Sequence, residues 1–189
     1  EPFSNLDVEL RERLSIEIRD ILKDQGTTAI LVTHDQHEAF AMCDKVGVMQ
    51  QGRINQWDTP YNLYHEPQTR FVADFIGKGV FITGRVTAPA EFDTEFGPMT
   101  SDRCNCEKAI GRDVDILLRP DDLLPDPEGP VWAKVIERAF KGAEILYTLQ
   151  TQQNTRLLAL FPSHHNHAVG EEVRVRIQAE HLICFPHQD

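Results

Sequence analysis

Leu6, Leu10, Leu14, Ile18, Ile21 and Leu22 recur at intervals of three and four, and the positions between them are mostly charged. That spacing predicts an amphipathic helix over 7–24. Asp7 is placed to cap its first turn, and Gly26 to supply the left-handed residue that ends it. The next stretch, "TTAILVT" (27–33), breaks the period. It is short, β-branched and apolar on both faces, the pattern of a buried parallel strand. A second short helix fits 36–43, with Ala39, Phe40 and Met42 on its inner face. "KVGVMQQGRINQW" then alternates on either side of Gln51-Gly52 and predicts two strands joined by a tight turn. A short helix lies between Pro60 and Pro67, and "RFVADFIGKG" leads out of the region.

The pattern changes near residue 78. From 79 onward "VFITGRV", "DVDILLRP", "VWAKVIERAF", "EILYTLQT", "TRLLALF" and "EEVRVRIQ" are short alternating runs separated by Gly, Pro and Asn turns. Such spacing predicts a small β-barrel or sandwich. The expected organisation is therefore an α/β region over 1–78 followed by an all-β domain over 79–189.

Charge and composition narrow the partners. Thirty acids against 19 bases give a formal net charge of −11, which argues against nucleic acid or an anionic membrane surface as main partner. The longest apolar runs, Ala39 to Cys43 and Leu157 to Phe161, are far too short to cross a bilayer as a helix. Cys43, Cys104, Cys106 and Cys184 form no regular disulfide framework, which suggests a reducing compartment. A cytoplasmic location is the expectation.

Two residues carry candidate chemistry. Glu1 precedes a polar turn and a helix, and His34 follows the predicted strand 27–33. In an α/β sheet the carboxyl ends of parallel strands face the ligand crevice, which is where a functional His belongs. On the residues alone, a strand-capping His34 and a solvated Glu1 are the favoured account of the pattern.

The surrounding words go further. "EPFSNLD", a helix, "AILVTHDQHEA" and then "DKVGVMQQGRI" resemble, in order and spacing, the end of the nucleotide-binding subunit of ABC transporters. The resemblance covers residues 1–77. It implies that Glu1 is the glutamate after the Walker B strand, that Ser4, Asn5, Leu6 and Asp7 are the D-loop, and that His34 is the switch histidine. Asn5 departs mildly from the small residue usual there. "DTPYNLYHEPQTRFVADFIG" is similar to the run leaving the ATPase core in importer subunits with a C-terminal regulatory domain. Residues 80–185 resemble that domain, the small OB-like barrel called TOBE, and "ILLRPDDL" resembles its arginine-proline-acid strand end. The second half most resembles ferric-iron importers; sugar, polyamine and sulfate importers share the architecture.

No stretch of the chain matches a phosphate-cradling G-x-x-x-x-G-K-[ST] loop. The resemblance places that loop, the LSGGQ-type signature, the Q-loop and the Walker B strand before Glu1. The expectation is thus a C-terminal piece of a longer ATPase, inactive by itself and dependent on the missing part for ATP and Mg²⁺. In the intact subunit Glu1 would polarise the attacking water, and His34 would contact the γ-phosphate. The D-loop would cross to a second copy in a homodimer, and the assembly would dock on membrane permease subunits at the cytoplasmic face of the inner membrane. The reading of a different class is a regulatory or dimerisation module whose barrel binds a partner subunit or a small ligand.

Other clusters weigh less. His164, His165 and His167, and Cys104 with Cys106, have no regular metal-ligand spacing, and no metal site is expected. On the first helix, Glu9, Glu12, Glu17 and Asp20 interleaved with Arg11, Arg13 and Arg19 read as an ordinary salt-bridged surface.

Overall fold

The structure, a computed structural model, describes residues 6–101, 103–104 and 109–187. The chain divides into two compact units, Glu1–Gln68 and Thr69–Asp189.

The first unit opens with α1 (Val8–Asp24), where the Asp7 carboxylate accepts the Leu10 N–H at 2.9 Å. Its last turn closes as Gln25 and Gly26 donate to the Ile21 and Lys23 carbonyls, with Gly26 left-handed at φ 61°. The periodicity is that of the expected helix, but the burial is not. Leu10, Leu14, Ile18 and Leu22 are only half-buried and Ile21 is exposed, while the buried residue of the helix is Ser15. α2 (Gln36–Met42) is capped by Asp35. A hairpin follows, β1 (Val46–Gln50) against β2 (Arg53–Asp58), paired antiparallel across Gln51-Gly52. Both turn residues have positive φ, at 50° and 74°, the geometry whose twist matches the flanking strands. α3 (Pro60–His65) starts on Pro60 with Thr59 as cap.

The expected strand at 27–33 does not form. Those residues carry no ladder, and Ile30 and Val32 are 91% and 75% exposed. An extended segment becomes a strand only when a neighbour takes its N–H and C=O groups. Among the described residues no strand lies beside this one. The α/β sheet expected for the first region is accordingly not part of this structure.

The second unit begins with α4 (Arg70–Ile76), capped by the Thr69 hydroxyl, which accepts the Val72 N–H. Its boundary precedes the expected one at 78/79 because α4 is fastened to the strands that follow. Ala73 packs with Leu117, Ile183 and Phe185. The buried Arg119 donates through Nη1 to the carbonyls of Ala73 at 3.0 Å and Gly77 at 2.7 Å, filling the acceptors that a helix end leaves open.

The strands in chain order are β3 (Val80–Ala88), β4 (Glu91–Thr94), β5 (Gly97–Thr100), β6 (Arg103–Cys104), β7 (Asp113–Leu118), β8 (Leu123–Pro125), β9 (Val131–Phe140), β10 (Glu144–Thr151), β11 (Arg156–Pro162), β12 (Glu172–Ile177), β13 (His181–Leu182) and β14 (Cys184–Pro186). They form two five-stranded antiparallel sheets, β11-β10-β9-β12-β8 and β14-β7-β3-β4-β5, plus a short parallel pair of β6 and β13. Alternation does what it predicts: along β10, Ile145, Tyr147, Leu149 and Thr151 point in and are buried, and their neighbours do not. The two inner faces share one core, with Ile82, Val86, Phe92, Ile116 and Leu118 meeting Val135, Tyr147, Leu149, Leu157 and Phe161. The six expected strand runs all fall on strands; the short β4, β5, β6, β8, β13 and β14 were not in that reading.

Candidate functional site

Arg11 organises the segment around His34. α1 carries it on the side facing α2, where it is a quarter exposed. Its Nη1 donates to Asp35 Oδ2 at 2.8 Å, and its Nη2 donates to the Leu6 carbonyl at 3.0 Å. Its Nε is buried without a hydrogen-bond partner and stands 3.6 Å from Glu38 Oε1. One planar cation therefore touches both sequence words expected to matter, the end of Ser4–Asp7 and the turn that holds His34.

The turn itself is built by side-chain capping. Asp35 Oδ1 accepts the N–H groups of His37 and Glu38 at the start of α2, and the Asp35 N–H donates to the Thr33 hydroxyl at 3.0 Å. That hydroxyl donates in turn to Glu38 Oε2 at 2.7 Å. Glu38 is 3% exposed, an unusual burial for an acid, made tolerable by the hydroxyl and the nearby guanidinium. Burial works against the charge of Asp35. The N–H groups of Glu38 and His37 and the Arg11 guanidinium outweigh it and hold its carboxyl below its ordinary value. His34 is exposed at the head of this turn.

Of the residues expected to form a site, Leu6, Asp7 and His34 are described. Leu6 is joined to the His34 turn through Arg11, while Asp7 is occupied as the cap of α1. Glu1, Ser4 and Asn5 lie outside the described residues. Arg11, Asp35 and Glu38 were not expected. Asp35-x-x-Glu38 has the spacing of a capping box, the one signal in the sequence that pointed to those two acids; none pointed to Arg11. The reading of α1 as an ordinary charged surface holds for Arg13, which lies 3.8 Å from Glu17 one turn on. It does not hold for Arg11, or for Arg19, which donates to the Met42 carbonyl and Asp44.

In the second unit, the Arg119-Pro120-Asp121-Asp122 strand end forms a closed knot. The Arg119 N–H donates to Asp122 Oδ2 at 2.7 Å, and the Gln178 N–H donates to the Asp122 carbonyl at 2.8 Å. Burial pushes the Asp122 carboxyl up to about 7, against the pull of that N–H. Among the described residues no group of three or more His, Cys, Asp or Glu side chains is arranged to hold a metal ion. His167 Nδ1 lies 2.6 Å from Glu171, and the Tyr147 hydroxyl donates to the His165 carbonyl, so this run ties β10 to its loop. Cys106 lies outside the described residues. No helix among them is long and apolar enough to cross a membrane.

Residues 116–185 match the TOBE domain family, and the match begins at the "ILLRPDDL" that pointed to it. Most of the chain is similar to proteins named spermidine/putrescine import ATP-binding protein PotA. The one from Marinobacter nauticus is 36% identical over 167 residues, covering 84% of this chain and 45% of that protein. Those from Clostridioides difficile and Borreliella afzelii are 33% and 34% identical, each covering 96% of this chain and 52% of the relative. The chain thus spans about half the length of these relatives. Among solved structures, the cytoplasmic molybdate-binding protein ModG aligns at 14% identity with a TM-score of 0.45 over 57% of this chain and 95% of that one, a likeness too distant to bear on function. The second unit thus contains a TOBE domain. Over most of its length the chain is similar to part of the PotA proteins, which are ATP-binding subunits of ABC importers. These relatives are named for spermidine and putrescine, and the ferric-iron expectation finds no support among them.

Proposed function

We propose that this chain works within the ATP-hydrolysing subunit of an ABC importer for polyamines such as spermidine and putrescine. The observation that carries the reading is identity of 33–36% to such subunits over 84–96% of the chain. It includes both the His34 turn and the TOBE domain.

In this reading Glu1 polarises the attacking water and His34 contacts the γ-phosphate. Ser4, Asn5, Leu6 and Asp7 cross to a second copy, so that nucleotide lies between two subunits. Charge neutralisation on the phosphates comes from Mg²⁺ and from a phosphate-binding loop that these 189 residues do not contain. The TOBE unit joins the two copies, and the assembly couples hydrolysis to permease subunits from the cytoplasmic face of the membrane.

The chemistry is tested in the full-length subunit. His34→Ala and Glu1→Gln are each expected to cut ATP turnover by at least ~10²-fold, about 2.7 kcal/mol of barrier. ATP binding should survive Glu1→Gln. Near-normal turnover in both variants removes these residues from the site. The 189-residue chain alone should give no heat in a nucleotide titration, and micromolar affinity, about −8 kcal/mol, would mean that the phosphate site has been misplaced. Uptake of labelled spermidine against ferric iron by the assembled importer decides the cargo.

A further inference from the structure

We infer that Arg11 is a positioning residue that fixes the Leu6 end of the Ser4–Asp7 segment against the His34 turn, with Asp35 and Glu38 as its receiving carboxylates. The inference rests on the proposed role of His34 and names what sets that residue's place.

The argument is geometric. Leu6 and Asp35 are far apart in sequence and belong to different turns, yet one guanidinium donates to both, at 3.0 Å and 2.8 Å. A planar fork with fixed donor directions holds two acceptors in a set relation, which a flexible ammonium does not. The acceptor side is rigid as well. Asp35 is pinned by two N–H groups of α2, and Glu38 is 2% exposed in its side chain and held by Thr33. His34 stands between Thr33 and Asp35, so both of its chain neighbours are anchored in this network. One contact remains open: buried Nε has no hydrogen-bond partner and lies 3.6 Å from Glu38 Oε1. A small approach of α2 to α1 completes that bond, so the same fork favours a closer arrangement of the two turns. A supporting shell of this kind matters because small misplacements of a reacting group cost large rate factors.

The test uses the full-length subunit carrying Arg11→Lys, Arg11→Met or Asp35→Asn, with His34→Ala alongside. Arg11→Lys keeps the charge and loses the fork; Asp35→Asn keeps the α2 cap and loses the ion pair. Each is expected to lower kcat about tenfold or more while KM for ATP stays within about threefold. Arg11→Lys should keep the parent's thermal midpoint, and combining it with Asp35→Asn should lower kcat no further, as for two groups acting through one contact. Parent-level kcat in folded Arg11→Lys or Asp35→Asn overturns the inference, and so does a loss in kcat that follows thermal stability across the variants. If Arg11→Met fails to fold, Arg11→Lys and Asp35→Asn carry the decision. Full turnover in His34→Ala defeats the underlying reading of the site; an inactive His34→Ala beside active Arg11 variants defeats the positioning role alone.

Discussion

The two units use their apolar residues in opposite ways. In the TOBE unit the large side chains Tyr147, Phe92 and Phe161 are fully buried, and two sheets close on one core. In the first unit Val8, Ile16, Ile21, Ile30 and Val32 are exposed, and the residue α1 buries is Ser15, whose hydroxyl has no hydrogen-bond partner. Both regions have clear periodicity. The difference lies in where the partners come from. A chain of antiparallel neighbours supplies its own ladders within a few residues of each turn. A lone extended segment and a lone amphipathic helix need partners that no local turn provides. Pattern tells which face wants cover and says nothing about whether cover is at hand.

Hydrogen exchange tests this contrast at its largest. Amides of β9, β10 and β11 should be protected at least ~10³-fold more than those of 27–33, the ratio that a global stability near 5 kcal/mol sets. Equal protection in a chain shown monomeric by light scattering would erase the contrast. Core truncation comes next. Phe161→Ala, at a residue 1% exposed, should cost about 3–5 kcal/mol in denaturant unfolding of the second unit. A loss under about 1 kcal/mol would mean a loosely packed barrel. Arg119→Met strips the donor from the Ala73 and Gly77 carbonyls and should cost about 1–3 kcal/mol.

The pH dependence has a definite sign. The Asp122 carboxyl titrates near 7 when folded and near 3.8 when unfolded, so the folded state holds a proton across that window. Its contribution is therefore full below about pH 4 and is lost as pH rises toward about 7. Asp122→Asn should gain on the parent by about 4 kcal/mol between pH 4 and pH 8. A difference that does not change with pH would place the carboxyl in water. Asp115 works the other way. Burial opposes its charge, but hydrogen bonds from His187 and Arg70 hold its carboxyl low, so its contribution is lost as pH falls below the ordinary carboxylate range. The smallest effect belongs to Ile30→Ser, expected within about 0.5 kcal/mol because that side chain already faces water. A large cost would show that the segment is covered in solution.

What was legible follows the same division. Capping by Asp7, the stop at Gly26, the Gln51-Gly52 turn and six strands of the barrel are local features, and each was readable from a few neighbouring residues. The short strands β13 and β14 escaped because two or three residues carry no countable period. Arg11 escaped for a different reason. Within α1 its charge is matched by acids at helical spacing, and its actual acceptors lie before the helix and beyond the next turn. His34 was legible through its surrounding words; the fork beside it shows only when the chain is folded.

The clamp of Arg119 on α4 fixes where this barrel can be cut out for use as a stand-alone scaffold. A gene fragment starting at Gly79 reads, on strand pattern alone, as the whole β module. It would discard the Ala73 and Gly77 carbonyls, to which the Arg119 guanidinium, 4% exposed in the intact unit, donates. It would also take Arg70 from Asp115, to which its Nη1 donates at 2.5 Å. The smallest transplantable cassette begins at Thr69, one helix earlier, because that helix covers Leu117, Ile183 and Phe185 on the side of β7 away from the main core.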